Sequence, residues 1–174
     1  MTPALISLTS NLYAYLCQIY GEKFVKAYHT ESFVKGWINE WADGLLGIDP
    51  KIIKKAMHHC KTSLEWPPSL PELIGICDRI SGLPSFYDVI RLAAALNRDR
   101  EFDGRTKDSE YHPVVRLALD KIGSWSMRQD TEEVLAKKFK TIYEEALTTW
   151  RMERNTRAKQ LEAPTNVLPI KTLT

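Results

Sequence analysis

His58, His59 and Cys60 are the densest set of metal-capable side chains in this sequence, and their spacing argues against a metal centre. Adjacent residues on a helix point about a hundred degrees apart, and no second ligand pair follows one turn away. The three read as two surface histidines and a core cysteine. A phosphate-cradling loop needs a glycine followed directly by Lys and Ser or Thr, and none of the 8 glycines precedes a lysine. No Gly-x-Ser-x-Gly is present either. His112 stands before Pro113 at a helix start, which suits a cap or an interface residue better than a base. Glu40, Asp43, Glu144 and Glu145 are scattered acids of solvated faces. The expectation is a protein with no catalytic residues, no metal and no cofactor.

Binding chemistry has more to draw on. Lys51, Lys54, Lys55 and Lys61 flank one predicted helix with two histidines among them, so one face could carry a positive field. Arg151, Arg154 and Arg157 step by three residues beside Trp150, with Lys159 beyond. Such a run suits single-stranded DNA, whose phosphates attract cations and whose bases stack on aromatics. It suits a solvated helix end better still, because cations there favour the dipole and a Trp in the stripe belongs to the core. Trp37 and Trp41, one turn apart with Phe33, read as bundle core. Trp66 either anchors a proline turn or stands exposed, and the anchoring role is expected. Trp125, between Gly123 and Ser126, lies in a short connection and is the better partner anchor, with Tyr111 at the far end of the same helix.

Helices must position these groups, since no period-two stretch appears. Thr2 and Pro3 open the first, with Leu5, Leu8, Leu12, Tyr15, Leu16 and Ile19 inward and Gly21 closing it. A short helix over 24–28 precedes one striped by Phe33, Trp37, Ile38 and Trp41. Asp49 and Pro50 open the next, with Ile52, Ile53, Ala56, Met57 and Cys60 inward. Trp66, Pro67 and Pro68 stop the chain from continuing that helix. Ser69 then stands three residues before Glu72, a capping box with Pro71 in the first turn, and Leu73, Ile76, Cys77 and Ile80 form the stripe. Ser85 caps a helix over 86–96, and 97–110 reads as a polar loop. Pro113 starts a helix to about 122; Ser126 to Gln129 offers a cap for a long last helix striped by Leu135, Phe139, Ile142, Ala146 and Trp150. The expected fold is all-α, a bundle of six to seven helices. Its expected parts are a helical bundle at 1–96, a connecting loop at 97–112, a smaller helical pair at 113–157 and a mobile tail at 158–174.

A formal charge of +2 is too small to mark a nucleic-acid binder, so any such contact must come from local clustering. Cys17, Cys60 and Cys77 are odd in number and fall on apolar faces, which favours reduced thiols in a cytoplasmic protein. The polar residues Ser7, Thr9, Ser10, Asn11 and Gln18 interrupt the first helix, so neither a signal peptide nor a membrane span is expected.

The order of these features resembles the replication protein P family of lambdoid phages: an aromatic residue, a Pro-Ser turn, a helix containing Cys77, then Gly82-Leu83-Pro84. Upstream Trp37, Gly44-Leu45 and Asp49-Pro50, and downstream Tyr111-His112-Pro113-Val114-Val115 and the helix through Tyr143, follow the family's order over most of residues 5–155. Leu73 departs from it, standing where the family has an aromatic. The resemblance implies a helicase loader without ATPase activity, whose partners are the hexameric replicative DNA helicase, DNA and an origin-binding initiator. Tyr111, His112, Arg116 and Trp125 fall in the part matching the helicase-engaging half. The alternative from another class is a DNA-binding regulator with a helix-turn-helix on either side of Trp66, which the stiff proline segment disfavours.

Overall fold

The computed structural model describes residues 2–26, 30–102 and 108–162, Phe102 and Glu162 by their backbone only. Among these residues there are eight α-helices and one 3-10 turn, with no strand. The helices are α1 (Pro3–Tyr20), α2 (Glu22–Val25), α3 (Glu31–Gly44), α4 (Pro50–Ser63), α5 (Leu70–Ile80), α6 (Phe86–Phe102), α7 (Pro113–Gln129) and α8 (Glu132–Glu162). None is long and apolar enough to cross a membrane. The all-helical class follows from the capping residues and the 3.6-residue stripes.

The chain divides into two compact units, one of 1–47 with 154–174 and one of 48–153. The boundary expected within 97–112 is therefore not where they part, and the reason is packing. Val89, Ala93 and Leu96 of α6 share one core with Val114, Val115, Ala118, Leu119 and Ile122 of α7 and with Phe139, Ala146 and Trp150 of α8. The segments that flank 97–112 bury their apolar area together, which holds them in one unit.

In the first unit, Thr2 precedes Pro3 at the helix start, and Gly21 at φ 52° ends α1 with its N–H on the Cys17 carbonyl at 2.9 Å. The buried face is Thr9, Leu12, Leu16 and Tyr20, turned from the expected Leu5–Ile19 stripe, whose other members are only half-buried. Thr9 tolerates burial because its hydroxyl donates to the Leu5 and Ile6 carbonyls, both at 3.0 Å. Trp37 stacks on Trp41 at 4.1 Å and meets Phe24 and Tyr13 edge-on at 5.8 and 5.4 Å. This aromatic core leaves Phe33 outside, half-exposed, where the stripe had placed it inside.

In the second unit α4 and α5 begin where the caps placed them. Asp49 accepts the Lys51 N–H at 2.7 Å. Ser69 and Glu72 form the reciprocal box, with the Ser69 N–H on Glu72 Oε2 at 2.7 Å. That bond and the Ser69 hydroxyl hold the Glu72 carboxyl below the usual range. Three boundaries differ from expectation. The polar run after Leu96 is helix to Phe102, because its charges are spent on partners in space: Asn97 donates to Glu101, Arg100 binds Asp120, and Arg128 binds Glu101. Residues 103–107 of the expected loop lie outside the described residues. Ser126 is inside a helix, not at its start; the chain kinks at Gly123 (φ 75°), and the helix ends at the extended Asp130 (φ −76°, ψ 145°) before α8 begins. Finally, α8 continues through 158–162, and the rest of the expected tail, 163–174, lies outside the described residues.

Candidate functional site

A buried polar cluster sits where α5, α7 and α8 meet. Asp78 of α5 is fully buried, and Arg151 of α8 reaches the same carboxylate oxygen with Nε at 2.8 Å and a terminal nitrogen at 2.6 Å. Such a charge survives out of water only with strong partners. His112 lies within the field of Asp78, caps α7 by accepting the Val114 N–H on Nδ1 at 3.2 Å, and meets Trp150 edge-on at 5.0 Å. Burial drives its pKa below the usual histidine value; Asp78 pulls it up and Arg116 pushes it down, both to a lesser degree. Tyr143 donates to the Pro84 carbonyl at 3.2 Å, and burial raises its phenol pKa.

Of the four residues expected to grip a helicase, three gather at the start of α7. Tyr111 is half-buried against the core and donates to Asp99 at 2.7 Å, a bond that raises its pKa. It is therefore a structural residue as much as a surface anchor. His112 is the cap just described. Arg116 is half-buried, and its Nε is buried with no hydrogen-bond partner among the described residues. Trp125 stands apart, beyond the Gly123 kink, on a helical turn and not in a connection; it is 67% exposed. The four do not form one patch, and Trp125 alone has the free face of a partner anchor.

The basic run at the chain's end is also dispersed. Arg151 is committed to Asp78 and is not a phosphate contact. Arg154 is half-buried, its Cγ and carbonyl so close to Gly47 that a Cβ there would come within 3.1 Å of each. Arg157 and Lys159 are exposed, Lys159 lying 3.9 Å from Asp43. The three-residue step was correct as helix geometry, but tertiary packing claims its first two members. A signal for Arg151 was available in an acid beside the apolar stripe of α5, since a buried carboxylate requires a cation.

Trp66 is 62% exposed, which reverses its expected role as anchor; Pro68 is the buried residue of that turn. The six residues 64–69 separate α4 from α5, and Leu64 is extended (φ −111°, ψ 130°). His58 and His59 face outward while Cys60 is buried, and burial pushes its thiol up to about 11. Among the described residues no three His, Cys, Asp or Glu side chains converge on a possible ion. Compared with family models, with curated proteins and with solved structures, the chain matches none.

Proposed function

We propose that this chain is an all-helical replication factor that binds the hexameric replicative helicase and helps place it on DNA without hydrolysing ATP. The reading rests on the ordered resemblance to replication protein P. The observation that carries it in the fold is Trp125, a large aromatic held out of the core on a turn that the Gly123 kink redirects. Aromatic anchors of this kind dominate binding energy at protein interfaces. Loading by such a protein requires differential affinity: moving a closed ring from 1:99 to 99:1 open needs about ten-thousand-fold tighter binding to the open form, or about 5.5 kcal/mol.

The test is a pull-down with the replicative helicase of the source organism, using the wild type and Trp125→Ala. The wild type should hold the helicase and alter its ATPase while hydrolysing none itself. Trp125→Ala should weaken binding by about 1–3 kcal/mol with an unchanged melting temperature. No binding at micromolar concentration would end the loader reading.

A further inference from the structure

The outer side of α4 carries cations and nothing acidic. Lys51, Lys54, Lys55, His58, His59 and Lys61 are all exposed, while Ile53, Ala56, Met57 and Cys60 are buried on the opposite side. At about 100° per residue the two sets centre on opposite directions, so the lysines share one ridge. No acid occurs in 50–63. None of the four lysines forms an ion pair among the described residues. Of the acids flanking the helix, Asp49 binds the Lys51 N–H and Glu72 binds Ser69, while Glu65 is exposed beside Trp66 and leaves the four lysines to set the net charge of the surface.

The helix dipole does not account for this pattern. It favours Lys61 in the last turn, but Lys51 lies in the first turn, where backbone N–H groups already present positive charge. Three residues beyond the helix stands the exposed Trp66. A membrane surface would call for a row of large apolar residues along the ridge's margin, and the helix offers only the half-buried Ile52 there. A protein partner's interface core is depleted in lysine. Base-edge readout in a duplex draws on Arg, Asn and Gln beside Lys, and this helix has none of those three, which favours backbone contact over sequence readout.

We propose that the outer face of α4, with Trp66, is a binding site for single-stranded nucleic acid. Lys51, Lys54, Lys55 and Lys61 neutralise backbone phosphates, and Trp66 stacks on a base without sequence preference. The site replaces the C-terminal arginines as the nucleic-acid surface and is independent of helicase binding.

The full chain is titrated against a labelled oligothymidylate by fluorescence anisotropy over a range of salt concentrations. Replacing all four lysines by Gln should reduce the slope of log affinity against log salt by about 2.8, at about 0.7 per lost phosphate contact. Trp66→Ala should weaken binding by about 5- to 150-fold with the slope retained. Arg157→Gln with Lys159→Gln should change neither. If the fourfold variant melts early, Lys54→Gln with Lys55→Gln reads the same effect as a slope loss of about 1.4. An unchanged slope in these variants overturns the proposal. So does a wild type that ignores the oligonucleotide and binds phosphatidylserine vesicles instead.

Discussion

Replacing Arg151 by Met should destabilise the protein severely, and more than replacing its partner. Asp78 has a fully buried side chain, whereas the Arg151 side chain is 35% exposed. Without Arg151 the carboxylate stays in the interior having lost both guanidinium bonds, a situation that costs about 3–5 kcal/mol. Asp78→Asn leaves the cation, which can turn toward water, and should cost about 1–3 kcal/mol, the range for losing a charged hydrogen bond. For a chain of this size Arg151→Met then lowers the melting temperature by about 6–20 °C. Asp78→Leu combined with Arg151→Met removes both charges and should recover much of the loss, since an apolar pair of similar volume often replaces a buried ion pair at little cost. Urea denaturation of the wild type, both single variants and the double variant measures the cycle. If Arg151→Met stays within about 0.5 kcal/mol of wild type, the level of an ordinary surface change, the ion pair carries no stability and Arg151 is again a candidate for binding.

Two further outcomes follow from the same geometry. Gly47→Ala places a Cβ at 3.1 Å from the Arg154 carbonyl at a φ of 76°, and should cost about 1–3 kcal/mol in thermal or urea unfolding, with Gly36→Ala, which meets open space, as the mild control. His112 has a folded-state pKa below its unfolded value, so the unfolded chain binds more protons as the solution is acidified; its contribution is intact above about pH 6.5 and is lost as the pH falls through the folded value. His112→Asn keeps a capping side chain without a titrating ring, and should flatten the stability difference between neutral and mildly acidic buffer.

Where the backbone's own chemistry decides, the sequence is easy to read. Asp49 with Pro50, Ser69 with Glu72, Ser85 with Asp88 and Pro113 behind His112 all act over two or three residues, and each opens a helix where its type demands. Where charged residues differ from expectation, the cause is a partner far along the chain. Asn97–Glu101 looks like a loop because it breaks the apolar stripe, yet Arg100 and Arg128 knit that stretch to α7 across 20 and 27 residues. Arg151 looks like one of a basic run, yet its partner is 73 residues away. The same reasoning explains the interaction surfaces. A cation or aromatic in the sequence marks a binding surface only after the fold has taken what it needs for itself. It takes Arg151, Tyr111 and Trp150, and it leaves Trp125, Trp66 and the lysine ridge of α4. Exposed aromatics and crowded like charges are costly to keep at a surface, and on that ground partners are proposed at Trp125, Trp66 and the lysine ridge.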